Sequence, residues 1–388
     1  MMTSDEAQPA DAQPRPTPLR AVHERLGATM TDFAGWLMPL RYGSETAEHR
    51  AVRAAAGLFD LSHMGEIAVS GPGADAALDY ALTGHMSALK PGRARYTMIC
   101  APDGGVLDDL IVYRLADTEF LVVANAANTP VVAAALQERA TGYLADVNDL
   151  TDDYALIAIQ GPHAGRILQP LADIGLYEVR YYAGQWAVVA GRKVLLARTG
   201  YTGEDGFELF TSPGDAEPVW TALAEAGEAD GLVPAGLAAR DTLRLEAGMP
   251  LYGNELSAQV TPFDAGLGRV VVFAKPGDFV GRAALAERAQ AAPVRTLAGL
   301  TVGSRRIPRH GYPVLWDGQP CGTVTSGAPS PTLGVPIAVA YLDPGTAQLA
   351  EETAQLAEET AAARLAVDIR GSAEPARITA LPFYHRPR

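Results

Sequence analysis

Two apolar, β-prone runs, Arg95 to Cys100 and Gly104 to Arg114, are separated only by a short turn containing Asp103-Gly104. Such a pair specifies a β-hairpin, and therefore antiparallel pairing at that point of the chain. The order strand–helix–strand–strand–helix recurs further along, which indicates an α+β fold rather than a doubly wound parallel sheet. The second run also carries two consecutive carboxylates, Asp108 and Asp109, directly before Leu110-Ile111-Val112. Neighbouring strand residues face opposite sides, so one carboxylate points each way. Alternation does not choose between them, because Val106, Leu107, Leu110 and Ile111 place apolar residues on both faces. The pair either caps a turn in solvent, or one member is buried and needs a partner or a raised pKa.

With 388 residues the chain is too long for one compact core, and two or three domains are expected. A formal net charge of −14 disfavours non-specific nucleic-acid binding and makes any docking depend on local basic patches. Two cysteines, Cys100 and Cys321, exclude a disulfide framework and a four-cysteine zinc site, and the seven histidines show no metal-ligand spacing. No apolar run is long enough to cross a bilayer. Residues 1–16, rich in proline and acids, read as a disordered tail with no targeting signal, which makes a cytoplasmic location the default.

Leu19 to Leu26 reads as a short helix, Asp32 to Leu40 as an extended run, and Glu45 to Ala56 as a helix stopped by Gly57. Gly71-Pro72-Gly73-Ala74-Asp75-Ala76 fits G-x-G-x-x-A, yet the next strand turns into a hairpin and no acid follows at a strand end about twenty residues on. A turn feeding a helix N-terminus is the better reading. From Arg295 onward strands and turns dominate, as in an all-β domain. Thr346 to Glu352 is repeated unchanged as Thr353 to Glu359, too few heptads for a coiled coil and best read as a duplicated surface insertion.

Two further stretches carry chemistry. Arg198 to Leu209 is a glycine-rich turn closing onto a strand, and Glu208 lies between Phe207 and Leu209, inside that strand. Gly236 to Gly248 is a helix with Arg240 and Arg244 at i,i+4, suited to a carboxylate-bearing ligand if they face a cleft, or else pairing with Asp241 and Glu246. His63, beside Ser62 without a supporting acid, reads as structural. There is no nucleophile elbow, zinc-protease motif or P-loop.

Taken together, Asp32-Phe33-Ala34-Gly35-Trp36, Phe59 to Met64, Gly104 to Leu110, Gly200 to Glu208, Gly236 to Gly248 and Thr325 to Gly334 resemble the aminomethyltransferase family, the T-proteins of the glycine cleavage system. The motifs stand in family order from about Thr17 to Tyr384. The resemblance implies a three-domain, cloverleaf-like α+β fold around a central folate cavity. Its expected parts are a first α+β domain (17–62 and 151–252), a second (63–150 and 253–293) and a C-terminal β-barrel-like domain (294–388) carrying the insertion near 346–360. It implies transfer of a one-carbon unit from the aminomethyl-lipoyl arm of a partner H-protein to tetrahydrofolate, releasing ammonia and forming 5,10-methylenetetrahydrofolate, with no metal. By resemblance Asp108 is catalytic, Glu208 binds the pterin, Arg240 contacts folate, and Met64, Tyr96, Asn125 and Tyr201 line the cavity. The chemistry agrees: a carboxylate accepts the two parallel pterin N–H donors as it would a guanidinium fork. A cation, Arg240 or a C-terminal one such as Arg386, suits the anionic tail. A carboxylate beside the reacting amine can take its proton. Folate-dependent demethylation and non-enzymatic folate binding are the alternatives on the same fold.

Overall fold

The computed structural model describes residues 13–349, 352 and 364–387. The expected disordered tail lies mainly outside these residues, but Arg15–Pro16, placed in it, form a short strand (β1) parallel to Trp36-Leu37. Of the duplicated heptads only Thr346 to Leu349 and Glu352 are described.

Helix α1 (Arg20–Arg25) leads into β2 (Thr29–Phe33) and β3 (Trp36–Arg41). The single extended run expected over Asp32 to Leu40 is instead a hairpin. Ala34 and Gly35 take left-handed φ of 53° and 80°, the two-residue turn that matches strand twist, and Asp32 Oδ1 accepts the Gly35 N–H at 3.0 Å. Phe33 is thereby carried to the hairpin tip. Helix α2 (Glu45–Ala54), capped by the Ser44 side chain, precedes β4 (Ala56–Asp60), whose five residues are all buried.

The chain then departs to build a five-stranded antiparallel sheet from β5 (Gly65–Ser70), β6 (Arg93–Cys100), β7 (Val106–Ala116), β8 (Glu119–Ala124) and β9 (Asp146–Asp149), in the order β6-β7-β8-β5-β9. Helices α3 (Ala74–Ala81) and α4 (Thr129–Arg139) cover one face, where Leu78, Val132 and Leu136 pack on Ile67, Leu110 and Val112. In the G-x-G-x-x-A stretch the glycines serve the chain itself. Gly71 has φ 116°, and a Cβ there would lie 2.5 Å from the Leu144 carbonyl oxygen. That carbonyl accepts the Gly73 N–H at 2.9 Å, so the turn holds a loop.

β10 (Ala155–Gln160) returns to pair antiparallel with β4. Its continuous apolar run marks a strand covered on both faces. It sits in a six-stranded sheet with β11 (Gly184–Val189), β12 (Arg192–Ala197), β13 (Gly206–Thr211) and β14 (Leu232–Pro234), ordered β11-β12-β13-β10-β4-β14. Helices α5 (Ala164–Leu168) and α6 (Ala216–Gly227) cover its outer face through Ile167, Trp220 and Leu223. Its inner face contributes Phe59, Leu156, Leu195 and Phe210 to a core shared with Tyr113, Leu121 and Val123 of the five-stranded sheet. Each such fully buried side chain contributes about 1.5–3 kcal/mol, so this shared core holds the two sheets face to face.

Helix α7 (Leu237–Glu246) packs beside α2, and α8 (Arg282–Gln290) lies against the turn between β6 and β7. The C-terminal strands β15 (Thr296–Val302), β16 (Pro313–Trp316), β17 (Gln319–Pro329), β18 (Pro336–Leu342), β19 (Leu365–Ile369) and β20 (Ser372–Thr379) close into a barrel, β15-β18-β17-β16-β19-β20. Closure leaves no free strand edge. Arg244 of α7 ties the barrel down, donating to Ser326 Oγ at 2.7 Å while also pairing with Glu255 at 3.0 Å.

Candidate functional site

A cavity of about 410 Å³ opens between the two sheets and α7. Its wall takes Phe33 from the β2–β3 tip, His63 and Met64 from the link after β4, and Tyr96, Asp109, Ile111, Tyr113 and Asn125 from the five-stranded sheet. Glu208 comes from β13 of the six-stranded sheet, Tyr182 from the chain before β11, Gly200 and Tyr201 from the β12–β13 loop, and Arg240 and Met249 to Tyr252 from α7 and the chain after it. Six of the seven residues singled out from the sequence, Met64, Tyr96, Asn125, Tyr201, Glu208 and Arg240, meet on this wall.

Asp108 is the seventh, and it lies behind the wall, bonded to the lining residues Asn125 and Asn128. The pleat of β7 puts Asp109 on the same face as Ile111 and Tyr113, towards the cavity, and Asp108 on the face of Leu110 and Val112, towards α3 and α4. Asp108 is fully buried there. It accepts the Asn125 N–H at 2.9 Å, Asn125 Nδ2 at 2.8 Å and Asn128 Nδ2 at 2.7 Å. Burial, then the neighbouring Asp109, push its carboxyl up to about 7 against those hydrogen bonds. Asp109 is the carboxylate on the cavity wall; its Oδ2 accepts the Tyr96 hydroxyl at 3.0 Å and its Oδ1 accepts Asn125 Nδ2 at 2.9 Å. Burial raises the Asp109 carboxyl as well.

Glu208 stands on β13 with both neighbours, Phe207 and Leu209, in the core of the opposite face. Its Oε2 accepts the hydroxyls of Thr199 and, at 3.4 Å, Tyr113. The carboxyl is raised by burial, with the Thr199 bond, the Arg240 charge and the Tyr113 bond acting against that. Arg240 has no ion pair or side-chain hydrogen bond among the described residues. Its guanidinium lies 4.7 Å over the Tyr201 ring, whose hydroxyl donates to the Pro250 carbonyl. His63 is 3% exposed, edge-on to Phe33, with Nδ1 unpartnered. Burial, then Arg240, pull its pKa down to about 4, so at neutral pH it is an uncharged ring on the wall.

Of the two alternatives for Arg240 and Arg244, a cleft or pairing with neighbouring acids, Arg240 takes the first and Arg244 the second, with Asp241 and not Glu246. Arg244 is 1% exposed and paired with Asp241 at 2.8 Å and Glu255 at 3.0 Å. Arg386 lies 3.8 Å from Asp205, in a separate groove that shares only Met249 with the cavity wall. Sequence reasoning missed Tyr182, Thr199 and the role of His63 as a wall. Thr199 had a signal, since it directly precedes Gly200 in a stretch already singled out. Tyr182, held at φ 56°, had none.

A largely apolar cavity with two carboxylates, Asp109 and Glu208, and a guanidinium that has no ion pair among the described residues suits a ligand with N–H donors and an anionic end. No group of acidic, histidine or cysteine side chains able to hold a metal ion occurs among the described residues.

Comparison with known proteins agrees along the whole chain. The family model described as "GCVT N-terminal domain" matches residues 19–275, and "Glycine cleavage T-protein C-terminal barrel domain" matches 295–385. The chain is 62% identical over 381 residues to an aminomethyltransferase of Saccharopolyspora erythraea, covering 97% of this chain and 99% of that one. An aminomethyltransferase of Streptomyces avermitilis is also 62% identical over 381 residues, covering 96% of this chain and 98% of its own. The crystal structure of glycine cleavage system aminomethyltransferase T from Bartonella henselae superposes with a TM-score of 0.85 at 36% identity, covering 96% and 99% of the two chains. With both halves matched by family models, and with a solved relative sharing the fold from end to end, the chain belongs to the glycine cleavage T-protein family.

Proposed function

We propose that this chain moves a one-carbon unit from an aminomethyl-lipoyl arm, presented by an H-protein, to tetrahydrofolate, and that Asp109 rather than Asp108 handles the proton. The enzyme is an aminomethyltransferase. The observation that carries the residue assignment is the pleat of β7, which turns Asp109 to the cavity and sets Asp108 behind the wall residues Asn125 and Asn128, whose three amide N–H groups occupy its oxygens.

The wall residues fit a reduced pterin. Glu208 faces the cavity with only hydroxyl partners, and a carboxylate in that state accepts a pair of parallel N–H groups. Tyr96, Tyr201 and Met64 bound the slot, and Arg240 is free to meet a carboxylate. When bound, tetrahydrofolate supplies the amine that receives the one-carbon unit. Asp109 sits between Tyr96 and Asn125, which fix its two oxygens. Burial raises its carboxyl, which favours proton uptake, and a positioned acid–base group contributes about 10²–10⁴-fold to rate. Asn125 bridges both carboxylates with its amide and thereby sets the Asp109 rotamer.

The test is ammonia release from aminomethylated H-protein, with and without tetrahydrofolate, for Asp109→Asn and Asp108→Asn. Asp109→Asn is expected to lose about 10²-fold or more in turnover at saturating folate. Asp108→Asn is expected to retain most turnover and to lose stability, because either orientation of the new amide turns its NH2 towards an N–H of Asn125 or Asn128. The reverse order of turnover losses returns the assignment to Asp108.

A further inference from the structure

The basic loop Ser304 to Gly311 is not part of the cavity. It forms one side of a separate concavity of about 520 Å³ on the barrel, lined by Arg305, Arg306, Arg309 and Arg370 around Ile307 and Tyr312. The chain carries 45 acidic residues against 31 Lys and Arg, so an arginine here has no shortage of possible partners. Arg306 takes one, Glu374, at 3.4 Å. Arg305, Arg309 and Arg370 form no ion pair among the described residues.

The arrangement is built rather than loose. The loop is fixed by backbone bonds from Gly311 N–H to the Val324 carbonyl at 2.8 Å and from Tyr312 N–H to the Arg309 carbonyl at 3.1 Å, and by His310 Nδ1 against the Thr325 carbonyl oxygen at 2.8 Å. Gly327 lets it seat closely: a Cβ there would stand 2.3 Å from the Pro308 carbonyl oxygen. On the opposite rim, Arg370 and Gly371 form the two-residue turn between β19 and β20, with φ of 57° and 82°. That turn favours Asn or Asp ahead of Gly, because a left-handed φ is costly for a long side chain. A residue kept in an unfavourable conformation, adding a fourth guanidinium where three already repel, points to a requirement other than stability.

We infer that this barrel concavity is a binding site for a small polyanion, a ligand with two or more closely spaced phosphates or carboxylates held by guanidinium forks. A concavity with an apolar floor favours a compact ligand over the flat contact of an acidic protein surface. Phosphate and carboxylate share the fork geometry, so the probes must separate them.

The test is calorimetry on the full chain at about 0.15 M salt, where weak surface attraction is screened, with inorganic tripolyphosphate, γ-linked triglutamate and long-chain polyglutamate as probes. One-to-one binding of a small probe is expected. Arg370→Asn should weaken it at least about tenfold, while the melting temperature stays level or rises, because Asn suits the turn. Arg305→Gln should weaken it too and leave tetrahydrofolate affinity unchanged. Binding of tripolyphosphate alone assigns the phosphate class, and binding of triglutamate alone the carboxylate class. Saturable binding of neither small probe, equal binding by the parent and Arg370→Asn, or binding of the long polymer only overturns the proposal, the last in favour of a protein-docking face.

Discussion

Arg240 and Arg244 stand one turn apart on α7 and live in opposite electrostatic worlds. Around Arg244 each charge is answered. Its guanidinium meets Asp241, Glu255, Ser326 and the Met249 carbonyl, and Glu255 accepts in turn from Thr325 and the Leu251 N–H. Nearby, Arg53 joins Glu204 and Glu246. Burial alone would raise the Glu246 carboxyl, but His49, Ser330 and Thr332 hold it down to about 2. Around Arg240, across the helix, the polar groups are left short: a guanidinium on a ring, a carboxylate with two hydroxyls and an imidazole nitrogen with nothing. Buried polar groups in folded proteins are almost always satisfied. Full pairing therefore marks the junction as scaffold, and the concentrated deficit marks the cavity as a surface completed by a ligand.

The largest effect that would break this contrast is on stability. Arg244→Leu strands Glu255 and should cost about 3–5 kcal/mol, the scale for removing one partner of a buried pair, read from denaturant midpoints. A loss below about 1 kcal/mol would mean the junction is not held by its charges. Next comes Arg240→Leu, which breaks no ion pair or side-chain hydrogen bond among the described residues but takes from Glu208 a charge that offsets its burial. Its unfolding free energy should stay within about 1 kcal/mol of the parent, while tetrahydrofolate affinity should fall by about 1.5–3 kcal/mol, the range for a hydrogen bond to a charged group. Equal stability losses in the two variants would erase the distinction. The smallest expected effect sharpens it outside both regions. Glu66 on β5 is buried with Oε1 unpartnered, and burial, then Asp149, raise its carboxyl well above 4.5. A carboxyl raised on folding favours the protonated native state. Its contribution is therefore full at low pH and is lost as pH rises from 4.5 upward through the raised value. Glu66→Gln should leave melting unchanged at acid pH and stabilise by about 1 kcal/mol at neutral pH; a pH-independent difference would remove titration as the cause.

The sequence made some of this legible and hid the rest for identifiable reasons. Glu208 could be found because an acid between two core residues on a strand has few places to go. The hairpin and the C-terminal strands followed from β-prone runs and turns. The choice between Asp108 and Asp109 could not be read locally. β7 is covered on both faces, by helices on one and a second sheet on the other, so its apolar residues do not alternate. Arg240 and Arg244 look equivalent at i,i+4, and they are separated by contacts far along the chain, where Glu255 and the barrel residue Ser326 meet Arg244. The β2–β3 turn was hidden because Ala34, not Asn or Asp, occupies its first left-handed position.

The pairing of β4 with β10 has a consequence during synthesis. Asp60 stands opposite Ile157, and the Leu61 N–H donates to the Leu156 carbonyl at 2.8 Å, with the entire five-stranded unit lying between the two strands in the chain. At about 5–20 residues per second of translation, β4 emerges on the order of ten seconds before its neighbour exists. The edge of β4 that β10 covers therefore stays open until the chain has passed through all five strands of the inserted sheet, so the sheet that frames the cavity is the later of the two to have every strand in existence.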